Sequence, residues 1–102
     1  MTGGSVDIII GGAGTTATYG NRIVSVTGGT VNYSVVGGSN GSTGNEGDGT
    51  LNGTPYIYIG GTATIGDKNL ISNNTTLFGA ESGSVFGIGN GRSGYSTIGS
   101  CD

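Results

Sequence analysis

Short apolar runs that alternate with polar residues, each followed by a pair of glycines, constrain this chain most. Examples are Val24–Val26 and Ile57–Ile59, which precede the pairs Gly28–Gly29 and Gly60–Gly61. Alternation with period 2 indicates strands that bury one face, and β-branched residues suit that pleated surface. No segment places apolar residues at helical spacing, and glycine disfavours helix. The pattern therefore predicts an all-β chain without helix.

Internal repeats connect these runs. Val35–Gly44 returns fifty positions later as Val85–Gly94, and Val24–Val31 is similar to Ile57–Ala63. Ile8–Gly12 is a further copy of an apolar triplet followed by Gly-Gly. Repetition of one small unit is the sequence signature of a stacked architecture.

Most Gly-Gly pairs lead directly into another short strand, which favours bends between successive faces of a coil over hairpins. We therefore predict a single-stranded parallel β-helix (β-solenoid) of four to five coils, at roughly 20–25 residues per coil. Val6, Ile8 and Ile10 would point inward with the other alternating Val and Ile residues, and Asn or Ser would form ladders at corners. Neighbouring strands that run in opposite directions, or a helix, would contradict this prediction.

The whole chain, residues 1–102, is predicted to be one β-solenoid segment and a fragment of a larger repetitive protein. Two polar stretches, at about 41–55 and 67–76, lack the alternation and are predicted to be loops that protrude from corners. Pro55 suits the first residue of a strand, where its missing N–H does least harm.

Composition narrows the functional classes. The chain holds 25 glycines in 102 residues but carries a net charge of only −3, so it lacks the charge signature of disorder. Its basic residues are scattered, whereas nucleic acids need clustered Lys and Arg. No apolar run approaches the roughly 20 residues that span a bilayer. We expect no nucleic-acid partner and no membrane insertion. The three basic residues are Arg22, Lys68 and Arg92.

Catalytic chemistry has little support. The chain has no His, which excludes a Ser-His-Asp triad and a His metal site. Glu81 and Arg92 could share a face, but solvated strand ends explain them better. We predict that the chain is not an enzyme, has no catalytic residues and needs no cofactor. Cys101 is a single cysteine without an internal disulfide partner, and we assign it no role.

Calcium is the one metal with candidate ligands. Asn45, Glu46 and Asp48 could supply oxygens from a flexible loop. The alternative is a solvated polar loop, and we favour it because the chain carries only one such stretch.

Two tyrosines are the candidate binding surface. Tyr56 and Tyr58 alternate with Ile57 and Ile59, so burial of the isoleucines would expose the tyrosines side by side. Exposed aromatic side chains can stack on sugar rings or pack against a partner. The alternative, which we favour, is that they cover glycine-rich backbone.

The unit Gly28–Gly38 (GGTVNYSVVGG) resembles the repeats of autotransporter passenger domains and related bacterial surface adhesins. The Gly-Gly pairs at Gly11, Gly28, Gly37 and Gly60 extend the resemblance over most of the chain. It implies a right-handed parallel β-helix that serves in adhesion or as a stalk, and it implies no catalytic residues.

We therefore expect a structural or adhesive module of a secreted or cell-surface bacterial protein. Its partners would be neighbouring repeats of the same parent, other copies stacked end to end, or a host surface or glycan. The alternatives are a carbohydrate-binding or, less favoured, carbohydrate-cleaving β-helix, and a self-assembling filament subunit.

Overall fold

A computed structural model of the chain describes residues 1–13, 18–40, 51–90 and 98–100. It is all-β apart from one short helix, which confirms the predicted class. The elements are β1 Ser5–Ile10, β2 Thr18–Tyr19, β3 Arg22–Val26, β4 Thr30–Val36, β5 Leu51–Asn52, β6 Pro55–Ile59, β7 Thr64–Ile65, α1 Lys68–Ser72, β8 Thr76–Leu77, β9 Ala80–Glu81, β10 Ser84–Phe86 and β11 Ile98–Ser100.

Parallel pairing dominates the sheets. β4 pairs with β1 on one side and with β7 and β10 on the other, β5 lies between β2 and β11, and β3 pairs with β6. All of these pairs are parallel, and among the described strands only β8 and β9 pair antiparallel. We name the three parallel sheets A (β1, β4, β7, β10), B (β2, β5, β11) and C (β3, β6). The chain visits them in the order A, B, C and then begins that order again.

The pairing registers explain both sequence repeats. Val24 lies opposite Ile57, which is the 33-residue similarity, and Val35 lies opposite Val85, which is the 50-residue one. Residues that repeat in sequence are thus direct neighbours on adjacent strands. Hydrogen bonds to the side chains of Asp7, Asn21 and Asn40 join residues that are 25, 33 and 50 positions apart. Two of these three separations exceed the 20–25 residues predicted for one coil.

An insertion accounts for the longest separation. β7 and β10 occupy one edge of β4, with Ile65 opposite Val31 and Ser84 opposite Ser34. Together, β7 and β10 occupy the place of one strand beside β4, and residues 66–83 are inserted between them. Thr30 and Thr64 are 34 residues apart whereas Ser34 and Ser84 are 50 apart, so the insertion adds 50 − 34 = 16 residues.

The neck of this insertion is closed by small residues. A Cβ on Gly66 would lie 2.9 Å from the Cα of Gly83, and both glycines have positive φ (105° and 88°). The Ser82 hydroxyl donates to the carbonyl of Asn32 (2.7 Å) and accepts from the N–H of Asp67 (2.9 Å). The two ends of the insertion therefore lie in contact with each other where the chain leaves and rejoins sheet A.

The helix α1 and the antiparallel pair β8–β9 contradict the prediction of a chain without helix or antiparallel neighbours, and both lie within residues 66–83, outside the three parallel sheets. The helix begins after Asp67, whose carboxylate accepts from the N–H of Asn69 at 2.8 Å. Such capping satisfies an orphan donor of the first turn. Five residues are too short to develop a helical apolar period, so pattern analysis had nothing to detect. The helix lies within the predicted loop at about 67–76, and no residue in it is buried.

Four valines form the core between sheets A and C: Val24, Val26, Val31 and Val35. Burying one such side chain stabilises by about 1.5–3 kcal/mol. Ile9 of β1 packs against this cluster, whereas Val6 is exposed. Ile9 lies outside the set Val6, Ile8 and Ile10 that is predicted to point inward. The register of β1 on β4 shifts at one extra residue of β4 between Val31 and Ser34, and this bulge interrupts the predicted alternation.

Glycines that follow the strands of sheet A allow neighbouring chain segments to approach closely. A Cβ on Gly11 would come closer than 3.0 Å to the carbonyl oxygen of Gly37, and one on Gly37 would meet Gly87 in the same way. The Asn90 side-chain amide donates to the Asn40 side-chain oxygen at 3.1 Å. The bond joins two asparagines 50 residues apart, as one step of the predicted Asn ladder would.

Among the described residues, no helix has both the length and the apolar character needed to cross a membrane.

Candidate functional site

The outward face of sheet C is the candidate binding surface. Val24 and Val26 point into the core, so the intervening Ile23 and Ser25 point outward. Pairing places Tyr56 opposite Ile23 and Tyr58 opposite Ser25. We call Ile23, Ser25, Tyr56 and Tyr58 the sheet C patch.

The patch leaves large apolar side chains in solvent. Ile23 is 79% exposed, Tyr56 55% and Tyr58 61%. The predicted side-by-side exposure of the two tyrosines is confirmed. The prediction assumed that Ile57 and Ile59 are both buried. This assumption holds only in part, because Ile57 packs against the core whereas Ile59 is itself 36% exposed. Sequence reasoning missed Ile23, although its position beside Val24 in an alternating run was a sufficient signal.

The two tyrosines differ in what they touch. A Cβ built on Gly60 would lie 2.7 Å from the Tyr58 hydroxyl oxygen and 2.9 Å from the ring carbon that bears it. The Tyr58 ring therefore folds over the backbone of Gly60, as the favoured interpretation of these residues required. Tyr56 has Ile23 as its cross-strand neighbour, and such aromatic–β-branched pairs are a favourable combination on a sheet face. Tyr56 is the member of the pair better placed to meet a ligand.

The other tyrosines lie elsewhere. Tyr19 on β2 is 72% exposed, and its carbonyl accepts from the guanidinium of Arg22 at 3.2 Å. Tyr33 on β4 is only partly exposed. Tyr95 lies outside the described residues. The sheet C patch is therefore the one place in the described chain where two exposed tyrosines share a strand.

The carboxylates of the described residues are dispersed. Asp7 accepts from the side-chain amide of Asn32 (2.9 Å), Asp67 caps α1, and Glu81 is exposed on β9. No group of three or more His, Cys, Asp or Glu side chains that could hold a metal occurs in the described part of the chain. The calcium candidates Asn45, Glu46 and Asp48 lie outside it, as do Arg92 and Cys101.

Chemically, the sheet C patch offers two phenol rings, an isoleucine and a serine hydroxyl on a two-stranded surface. Such a surface can stack on a sugar ring or pack against an apolar partner. Its described side chains hold no pair of acidic groups for bond cleavage, which glycoside hydrolysis requires.

Comparison with protein-family models, with curated proteins and with solved structures found no match for this chain.

Proposed function

We propose that the chain is a right-handed β-solenoid module, non-catalytic, with a structural or adhesive role in a secreted or cell-surface bacterial protein. The observation that supports the solenoid best is the order of the sheets. The chain passes through A, B and C and then repeats that order, and each strand pairs in parallel with its equivalent of the next pass. A coil wound from three faces would produce this order.

The corners support the same proposal. The Gly11–Gly12 pair stacks on the Gly37–Gly38 pair, since Gly11 N–H donates to Val36 O and Gly12 N–H donates to Gly38 O (2.8 and 2.6 Å). Thr62 N–H likewise donates to Thr27 O across the opposite corner of sheet A (3.1 Å). Bonds that join equivalent bends of successive levels are typical of a continuous stack.

A structural or adhesive role follows from what such a stack offers. Nearly all its strand-to-strand bonds run between levels, so the module can be extended by further levels without a new core. The resemblance to repeats of bacterial surface adhesins is the basis for the secreted or cell-surface location. Its expected partners are neighbouring repeats, other stacked copies, or a host surface or glycan.

A carbohydrate-binding β-helix is the second candidate, and the exposure of Tyr56 beside Ile23 is the observation that favours it. A glycan array with the full chain separates the two. The structural role predicts no saturable binding by the chain or by a Tyr56→Ala/Tyr58→Ala variant. Saturable binding that the double variant loses, and that a Tyr19→Ala control retains, would assign carbohydrate binding instead.

A self-assembling filament subunit is the third candidate, because strand edges at the end of a stack can accept another copy. Light scattering as a function of concentration tests it. Mass that grows with concentration supports a filament, whereas a monomer that persists to high concentration refutes it.

A further inference from the structure

Five asparagines of the chain lie in the sequence Asn-x-Ser or Asn-x-Thr, which is the acceptor signature for N-linked glycans in secreted proteins. The signature determines which asparagines a glycosyltransferase can recognise, and the fold determines which of them it can reach. The five are Asn32, Asn40, Asn52, Asn73 and Asn74, and their hydroxyl residues are Ser34, Ser42, Thr54, Thr75 and Thr76.

Asn32 and Asn40 are not accessible to such an enzyme in the folded chain. The Asn32 side-chain amide donates to the Asp7 carboxylate at 2.9 Å, and Ser34 is 0% exposed. Asn40 is 2% exposed, and its side-chain amide donates to the carbonyl of Phe78 at 3.1 Å. In both asparagines the amide nitrogen that would bond to a sugar is already a hydrogen-bond donor within the fold.

Asn52 is held in the middle of sheet B. It belongs to β5, which pairs with β2 on one side and with β11 on the other. Its carbonyl accepts from the N–H of Gly20 at 2.8 Å, and both Asn52 and Thr54 are half-buried. The sheet would have to open before this segment could enter an active site.

The insertion carries the remaining two asparagines at the end of α1. Asn73 ends the helix, and Asn74 follows it with a positive φ of 52°. The N–H of Asn74 donates to the carbonyl of Ile71 at 3.1 Å, and the N–H of Thr75 donates to the carbonyl of Leu70 at 2.9 Å. These bonds form a Schellman cap, in which asparagine takes the left-handed position that glycine usually holds. The cap uses the backbone of Asn74 and leaves its side chain exposed.

Exposure of the hydroxyl residue separates Asn73 from Asn74. Thr75, which belongs to the Asn73 signature, is half-buried, whereas Thr76, which belongs to the Asn74 signature, is exposed. Among the asparagine–hydroxyl pairs that the structure describes, only Asn74 and Thr76 have both members exposed.

The segment around Asn74 can also open without disturbing the parallel sheets. No residue of α1 is buried, and a helix of five residues gains little stability of its own. Segments with few buried apolar contacts open locally at a low cost in free energy. The cap can therefore enter an active site while sheets A, B and C stay paired.

We infer that Asn74 is a glycosylation site, which accepts a sugar from a glycosyl phosphate donor. The Nδ2 atom of Asn74 attacks the anomeric carbon, and an N–C bond forms as the bond from that carbon to the phosphate oxygen breaks. The phosphate leaves with the electron pair of the broken bond, and the amide nitrogen gives one proton to the transferase. The inference rests on the secreted or cell-surface location proposed above, because the signature is one of secreted proteins.

Glycan transfer to the purified, folded chain tests the site. One arm supplies a lipid-linked oligosaccharide with its oligosaccharyltransferase, and the other supplies a nucleotide-activated hexose with a soluble N-glycosyltransferase. Peptide mapping by mass spectrometry locates the added sugar, and its mass distinguishes the two donors. We expect a glycan at Asn74 in at least one arm and none at the asparagines of sheets A and B. Short peptides around Asn40 and Asn52 should be accepted, because they keep the signature and lack the fold.

Two threonine variants form a matched pair. Thr76→Val removes the hydroxyl of the Asn74 signature and keeps a β-branched residue at the start of β8, so the glycan should be lost. Thr75→Val removes only the hydroxyl of the Asn73 signature, so the glycan on Asn74 should remain.

Transfer to the folded chain in neither arm, transfer mainly to Asn40 or Asn52, or retention of the glycan by the Thr76→Val variant would overturn the inference. Because the assay uses purified chain, these outcomes leave the proposed location unaffected. Cell fractionation of the parent protein tests that location separately, and a parent confined to the cell interior would refute it.

Discussion

Sheets A and C are built from the same kind of strand, yet the outward face of sheet A is buried whereas that of sheet C is exposed to solvent. On β4 of sheet A, Val35 belongs to the valine core, so its neighbour Val36 lies on the other face, and Val36 is nevertheless 0% exposed. On β3 of sheet C, the residue in the equivalent outward position, Ile23, is largely in solvent. The sequence pattern of the strand does not decide which outward face is covered.

The insertion at residues 66–83 makes the difference. Its strand β9 packs against β4, Ala80 is buried, and the Asn40 side-chain amide donates to the carbonyl of Phe78 at 3.1 Å. Sheet C has no described segment over its outward face. The insertion thus lies against β4 of sheet A, whereas the sheet C patch stays exposed.

The largest contrast is expected from a charge placed on each outward face. Val36→Asp should lower the free energy of unfolding by about 3–5 kcal/mol, since it buries a carboxylate without a partner. Ile23→Asp should change it by no more than about 0.5 kcal/mol, because the side chain is solvated. Urea unfolding of both variants measures this. Similar losses would show that sheet C is covered as sheet A is.

The glycines that follow the strands of sheet A give an intermediate contrast, between Gly37 after the central strand β4 and Gly87 after the edge strand β10. Gly37→Ala would drive a Cβ into the carbonyl of Gly87, whereas Gly87→Ala meets nothing within 4 Å. We expect Gly37→Ala to cost about 1–3 kcal/mol, and Gly87→Ala to be neutral or to stabilise by up to about 1 kcal/mol.

Thermal unfolding of these two glycine variants tests the close approach of Gly37 to Gly87. Equal melting temperatures would contradict the stacking of Gly37 between its neighbours.

The smallest effect is expected at the neck of the insertion. Ser82→Ala removes a buried hydroxyl that links Asn32 to Asp67, and should cost about 1–2 kcal/mol. Ser72→Ala removes an exposed bond to Lys68 O and should change stability by less than about 0.5 kcal/mol.

Amide exchange of β4 sharpens this prediction. Loosening of the insertion in the Ser82→Ala variant should speed exchange in Thr30–Val36 more than in Arg22–Val26. Uniform acceleration in both strands would indicate global destabilisation and contradict a local role for the neck.

The alternation of the strands predicted both the core and the candidate surface. Val24, Val26, Val31 and Val35 were predicted inward from alternation, and all four are buried. Tyr56 and Tyr58 were predicted outward by the same rule, and both are exposed. Period 2 is a local property of a strand, so it can be read from neighbouring residues alone.

Ile9 and α1 mark where that rule fails. Ile9 packs against the core although the alternation predicts it outward, and the register of β1 shifts at an extra residue in β4, a different strand some 25 residues away. The helix depends on a cap at Asp67 and on a neck closed by Ser82. Neither a bulge nor a single helical turn leaves a periodic trace in the strand or segment that it changes.

The sequence alone determined that the chain is all-β, that its strands are short and end at glycines, and that Val24 and Val35 have equivalents 33 and 50 residues later. These are consequences of side-chain period, of glycine's tolerance for close approach, and of repetition. Tertiary structure alone decided that β7 and β10 share one edge of β4 and that residues 66–83 cover one outward face while the other stays open. The reason is that burial of a strand face depends on the segment that packs against it. The sequence of the strand itself does not indicate which segment covers its outward face.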